Sequence, residues 1–339
     1  MATTFNLTLA REMLALTHTA QFSEQAELLV KPEVQTFIDK DRVLRKATLG
    51  GRLIRNATAI TGTNFKSDIE CFVARSDGDE VVVAFRGSET AFFDRAGAFK
   101  DWVLTDFRAN RIAYPPAPGS WPDQRWVHAG FWQAYNLIRG QLLGEVVRRA
   151  SSPRAARRVF VTGFSMGGAL ALLAALDIAT SVGSIPVELH SFAAPRAGDA
   201  SLNTLVKDRL AASFLMAFRG DPVVHLPPLG PNFPITFRHP INFNVGGIHV
   251  PMGNPTIPEV WQQYQTAHEI VYFKRNGEVK SHYPPGMVAL RFNDHDFPPY
   301  RDAIDAAVKK LDAATTTRPG STARHSSAPV APMLGVMMA

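Results

Sequence analysis

Ser165 lies in Gly163-Phe164-Ser165-Met166-Gly167-Gly168, between the β-branched and aromatic run Val159-Phe160-Val161-Thr162 and the small-residue and leucine run Ala169 to Leu176. The first run has the length and residue types of a buried strand, and the second reads as a helix. A serine between two glycines at such a junction is forced onto a tight strand-to-helix turn. Its hydroxyl then projects above the sheet, and the glycines let neighbouring backbone pass without a Cβ clash. The helix behind it turns its first amides toward any negative charge that develops near the serine. The chemistry this prepares is nucleophilic attack on an acyl carbon. A hydroxyl is a poor nucleophile at neutral pH, so it needs a base within hydrogen-bond reach and an acid to orient that base.

With an elbow of this kind the acid and the base follow in chain order, each from a loop at a strand's C-terminal end. Asp221 follows the strand-like Phe214–Phe218 through Arg219-Gly220 and is the preferred acid. Asp199 sits where a helix N-cap belongs, and Asp177 lies within the helix after the elbow; both read as structural. Among the histidines, His225 shares a loop with Asp221 and would have to fold back sharply, while His268 and His282 fall in a predicted hairpin; His239 and His249 are further rivals. His295, in Asn293-Asp294-His295-Asp296 between the strand-like Met287–Phe292 and the last predicted helix, is the preferred base. The apolar strand Val81 to Phe85 runs into Arg86-Gly87-Ser88, which puts the Ser88 backbone N–H, together with that of Met166, where an oxyanion would form. No ligand cluster such as His-Glu-x-x-His occurs, and neither metal nor cofactor is expected.

The elements that must position these residues alternate between strand and helix, which predicts a mostly parallel sheet covered on both sides. Residues 1–60 read as mainly helical, with Phe5, Leu9, Met13 and Leu16 at helical spacing and Pro32 starting a further helix. Strands are predicted over 69–75 and 80–85, joined by Ser76-Asp77-Gly78-Asp79, and a hairpin over 268–282 turning at Asn276-Gly277. The last helix is predicted over 299–311. Residues 1–312 are expected to form a single domain, with 313–339 a flexible tail rich in Thr, Ser, Pro and Ala. The stretch 89–106 carries Phe92, Phe93, Phe99 and Trp102 among charges, directly after Ser88. It reads either as a lid whose opening gives transient contact with a lipid interface or as a helix packed permanently on the domain.

The chain has 339 residues, a net charge of +6 and one cysteine. Cys71 lies in a strand-like run and is expected to be a packed thiol, and a single cysteine excludes an intrachain disulfide framework. The arginines Arg148, Arg149, Arg154, Arg157 and Arg158 are read as a solvated loop at the end of the central strand remote from Ser165. They carry no interleaved aromatics, so no nucleic-acid partner is expected. There is neither a Sec-type leader pattern nor an apolar run of membrane-spanning length, so the default expectation is cytoplasmic, with export by another route left open. Oligomeric state is not legible.

Taken in order, these residues resemble the class 3 lipases. The resemblance covers about residues 69–311 and rests on Val83-Ala84-Phe85-Arg86-Gly87-Ser88, Asp101-Trp102, Val127-His128-x-Gly130-Phe131, the elbow, Pro195-Arg196-x-Gly198-Asp199, Asp221-Pro222-Val223-Val224-His225-Leu226-Pro227-Pro228 and Asp294-His295-Asp296 with Tyr300. It departs from the family at Phe164 and Met166, where His and Leu are commoner, and in a longer segment after Ser88. The resemblance implies an α/β-hydrolase fold that cleaves lipid or other carboxylic esters, with Ser165, Asp221 and His295 as the triad, Ser88 and Met166 as the oxyanion hole, and the stretch after Ser88 as the lid. A soluble-substrate carboxylesterase, a feruloyl esterase, a phospholipase A1 and a non-catalytic binding protein of the same fold are the competing readings.

Overall fold

The computed structural model describes residues 4–21, 48–49, 52–61, 69–87, 111–114, 125–151, 153–227, 242–245, 248–251, 264–284 and 291–316. Ser88, the candidate lid 89–106, the helix expected from Pro32, His239 and residues 317–339 lie outside the described residues. Among the described residues the chain runs α1 (Leu7–Gln21), β1 (Thr48–Leu49), β2 (Arg52–Thr61), β3 (Ile69–Ser76), β4 (Glu80–Phe85), β5 (Arg111–Tyr114), β6 (Arg125–His128) and α2 (Ala129–Ser151). It continues through β7 (Arg158–Phe164), α3 (Met166–Ser181), β8 (Val187–Phe192), β9 (Gly198–Asp199), α4 (Ala200–Arg209) and β10 (Ala212–Phe218). The last elements are β11 (Asn242–Val245), β12 (Ile248–Pro251), β13 (Tyr264–Gln265), β14 (Glu269–Phe273), β15 (Val279–Lys280) and α5 (Phe297–Thr316).

The main sheet has the spatial order β1-β2-β3-β4-β7-β8-β10-β14-β15, so its strands lie in chain order. Strands β4, β7, β8, β10 and β14 pair in parallel, and the pairs toward both edges are antiparallel. Alternation along each strand divides the core between two faces. Val81, Val83 and Phe85 of β4, with Val159 and Val161 of β7, pack toward α2, α3 and α4. Val82, Ala84, Phe160 and Phe164 pack on the other side with Met13 and Leu16 of α1 and Ala303 and Ile304 of α5. Because the inner strands share one direction, the loops after β4, β7 and β10 all open at the same end of the sheet.

Several expectations are met. The helix at the N-terminus, the hairpin of β3 and β4, the buried Cys71 and the turn at Gly277 are all present. Others are corrected. Residues 52–60 are not helical: β2 adds to the sheet on β3, with register shifts at Arg55/Thr58 and Ile60/Thr61. Phe292, expected at the end of a strand, belongs to a 3-10 turn, Phe292–Asp294. Helix α5 begins at Phe297, because its two prolines stand in the first turn where a missing N–H costs nothing; it also includes residues 313–316, expected in the tail. Arg148 and Arg149 belong to the last turn of α2 and Arg158 to β7, not to a loop. Arg149 is buried, bonded to Glu145 and Thr58, and Arg158 is bonded to Glu188. Among the described residues no helix is long and apolar enough to cross a membrane.

Candidate active site

Strand β7 ends and α3 begins with Ser165 alone between them. Its backbone has φ 55° and ψ −127°, a conformation an L-residue adopts at a cost of about 1–3 kcal/mol. The flanking glycines make the turn feasible. A Cβ on Gly163 would stand 2.2 Å from the Gly167 carbonyl oxygen, and one on Gly167 would stand 1.9 Å from the Arg86 carbonyl oxygen. The second approach seats the first turn of α3 directly on the loop leaving β4, the loop that leads to Ser88. The Ser165 N–H donates to the Phe192 carbonyl at 2.8 Å, pinning the turn to the end of β8. Met166 is the first residue of α3, so its amide belongs to the helix turn whose N–H groups point toward the Ser165 side.

Strand β10 delivers Asp221 through a tight turn in which the Asp221 N–H donates to the Phe218 carbonyl at 3.0 Å. The carboxylate is fully buried and saturated with partners. Its Oδ1 accepts from the Val223 N–H at 2.8 Å, its Oδ2 accepts from the Tyr300 hydroxyl at 2.6 Å, and both oxygens lie 2.9 Å from His295 Nδ1. His295 Nε2 is 2.9 Å from Ser165 Oγ. Ser165 and His295 are each 2 % exposed, so the three side chains are shielded from bulk water. The imidazole faces the Phe164 ring at 5.5 Å, and Phe164 in turn packs on Phe297 and Tyr300.

The structure therefore brings together Ser165, Asp221 and His295 and places Met166 beside them, while Ser88 lies outside the described residues. The rivals are elsewhere. Asp199 caps α4, accepting from the Ser201 and Leu202 N–H groups. Asp177 lies deep in α3, bonded to Tyr114, Tyr135 and Arg139. His268 bonds Ser213 near the start of β10. His225 lies just beyond Asp221, its ring tilted against that of Tyr283 with centroids 4.8 Å apart; burial, with Arg196 adding to it and Asp221 opposing, lowers its pKa to about 4.

Two positions in the site's support were not assigned a role from sequence. Tyr300 sits on the buried stripe of α5 with Ala303, Ile304, Ala307 and Val308, and a tyrosine on such a stripe needs a partner for its hydroxyl. That hydroxyl donates to Asp221 and accepts from the Phe218 N–H at 3.1 Å. Burial and the adjacent Asp221 charge push its pKa well above the usual phenol range. Arg196, also buried, donates through one guanidinium nitrogen to the His225 and Pro227 carbonyls, and its own N–H bonds the Leu226 carbonyl at 2.7 Å. It thereby ties the loop after β8 to the loop carrying Asp221; burial lowers its pKa to about 10. In the sequence it stands only as a member of the Pro195-Arg196-x-Gly198-Asp199 motif, which gives it no role.

Residues 82–230 match the family model described as lipase (class 3). That segment is similar to the class 3 lipases. The lipase of Rhizomucor miehei is 30% identical over 165 residues, which are 48% of this chain and 41% of that one. The secreted mono- and diacylglycerol lipase 1 of Fusarium solani is 27% identical over 172 residues, 50% of this chain and 46% of that one. The chain spans less than half the length of each of these curated relatives. In fold, the Rhizomucor miehei lipase in its native propeptide complex is similar at a TM-score of 0.52 and 19% identity, over 88% of this chain and 78% of that one. The segment matched by the class 3 lipase model thus lies in an α/β-hydrolase fold. It holds all but the first two residues of β4, the elbow and Asp221, whereas His295 and Tyr300 come from beyond it.

Proposed function

We propose that this chain hydrolyses carboxylic esters of lipids, with Ser165 as the nucleophile, His295 as the general base and acid, and Asp221 as the residue that orients the imidazole. One observation carries the reading: His295 bridges Ser165 Oγ and the Asp221 carboxylate with 2.9 Å contacts on both ring nitrogens. Ser165 Oγ attacks the ester carbonyl carbon while its proton passes to His295 Nε2. The oxyanion is received by the backbone amides of Met166 and Ser88. Collapse breaks the carbon–oxygen bond to the alcohol, and the leaving alkoxide takes the proton from His295. Water then attacks the acyl-enzyme by the same route in reverse, releasing the acid and restoring Ser165.

The lipid substrate class is supported by the class 3 lipase match, by the relatives named as lipases and by the aromatic run Phe92, Phe93, Phe99 and Trp102 in 89–106. On this reading 89–106 is the segment that meets the lipid interface. The cytoplasmic placement expected from sequence is opposed by relatives named as secreted lipases, and fractionation of the producing cells decides it.

The test is hydrolysis of butyrate and palmitate esters by wild type and Ser165→Ala, with the palmitate ester below and above its solubility limit. Turnover that depends on Ser165 and jumps once the palmitate ester forms an interface is the expected result. Ser165-dependent turnover of the dissolved butyrate ester alone would make the chain a soluble-substrate esterase. Equal rates in both proteins would overturn the assignment.

A further inference from the structure

Asp221 and His295 are 74 residues apart in the chain, and their loops meet at one peptide. The residue before Asp221 is Gly220; the residue before His295 is Asp294. The Gly220 N–H donates to Asp294 Oδ2 at 3.1 Å, and the Gly220 carbonyl accepts from the Arg291 N–H at 2.7 Å. The Asp294 N–H closes the 3-10 turn onto the Arg291 carbonyl at 2.9 Å. The turn Arg291 to Asp294 therefore grips Gly220 through both of its backbone polar groups, and each member of the acid–base pair is one residue from the grip. Asp294 is 3 % exposed. Its carboxylate does not touch the reacting groups; it bonds a backbone amide of the opposite loop.

We infer that Asp294 is a positioning residue: its carboxylate sets the register between the Asp221 and His295 loops and so holds His295 Nδ1 on Asp221. The inference rests on the proposed roles of Ser165, His295 and Asp221. What the grip requires at this position is a side-chain acceptor of the right length, not a charge, so asparagine can replace aspartate. Alanine cannot, and serine is one bond too short to reach. A misplacement of about an ångström in a reacting group costs about 100-fold in rate, so loss of the grip is expected to lower kcat about 10- to 100-fold without moving KM. A purely structural role, such as support for the start of α5, would lower stability but leave kcat per folded molecule unchanged.

The experiment compares Asp294→Ala and Asp294→Asn with wild type in kcat, KM and the low-field proton resonance of the His295 Nδ1–H, with rates normalised to folded protein. Asp294→Ser takes the place of Asp294→Ala if the alanine variant does not fold. The expected result is a fall in kcat with a shifted or lost resonance in the truncated variant, and rescue of both in Asp294→Asn. The inference is overturned if the truncated variant keeps the wild-type kcat and resonance, or if Asp294→Asn is damaged as much as the truncation. The resonance is read without substrate, so it decides the inference even if wild type turns over no ester. Ester turnover in wild type that vanishes in Ser165→Ala decides the functional reading separately.

Discussion

Asp221 and Asp177 are both buried carboxylates that accept from tyrosine hydroxyls, and they differ in their third kind of partner. Asp221 has Tyr300 on one oxygen and an imidazole in front of it; Asp177 has Tyr114 and Tyr135 and the guanidinium of Arg139. An imidazole exchanges its proton near neutral pH, whereas a guanidinium keeps its own. On the proposed mechanism the same acid–tyrosine unit serves a proton relay in one place and is a fixed tie in the other. Location reinforces the difference. Asp221 sits in a loop at the open end of the sheet. Asp177 lies twelve residues along α3 from Ser165, about 18 Å at about 1.5 Å per residue. There it fastens the elbow helix to α2 and β5. A buried carboxylate with good partners is thus no sign of catalysis until the partner that can carry a proton, and the nucleophile it reaches, are in place.

The sharpest way to break this contrast is to remove one member of each set. Ser165→Ala is expected to lower ester turnover by at least about 10⁴-fold with the fold unchanged, measured as kcat on a soluble ester alongside thermal unfolding. Asp221→Asn is expected to cost about 10⁴-fold in kcat, because the amide favours the wrong imidazole tautomer. Tyr300→Phe removes one charge-assisted bond and is expected to cost about tenfold in kcat, equivalent to about 1.4 kcal/mol. Asp177→Ala should do the reverse of Asp221→Asn. It should lose about 2–4 kcal/mol in urea unfolding, since two buried phenols lose their acceptor, and leave kcat per folded molecule unchanged. If both aspartates affected rate alike, the contrast would fail.

A further effect, on stability alone, is one of pH. His128 and His225 are buried with pKa values lowered from 6.5 to about 4, by burial in both cases. Above pH 6.5 the folded and unfolded chains both hold these rings neutral. Between pH 6.5 and about 4 the unfolded chain binds protons that the folded chain refuses, so stability falls as pH falls, by up to about 3 kcal/mol per histidine below pH 4. His128→Asn is expected to flatten the dependence of the urea midpoint on pH across that window. A profile parallel to wild type would show that His128 does not resist protonation in the fold.

How much of this was legible in the sequence follows from how local each signal is. The elbow is complete within Val159 to Leu173: strand, two close-approach glycines and helix are contiguous, and nothing distant is needed to read Ser165. Asp221 was legible through chain order and a strand end, and His295 through chain order, not through periodicity, since His295 lies 130 residues from Ser165. The edge of the sheet was not legible. Strand β2 carries Arg52, Arg55, Asn56 and two alanines, which favour no strand by themselves, and it is held by pairing with β3. Strands β5 and β6 are four residues each and exist through pairing with each other and with β9. Arg196 and Asp294 were hidden for a related reason: each bonds the backbone of a loop distant in the chain, and a backbone acceptor or donor leaves no mark in the sequence.

The central claim is that Ser165 is a nucleophile activated by His295. Labelling with a fluorophosphonate, followed by mass mapping of the peptides, tests it without choosing a substrate. A single adduct on the peptide containing Ser165, absent in Ser165→Ala and formed far more slowly in His295→Ala, is the expected result. An adduct on a different serine, or none in wild type, would contradict it.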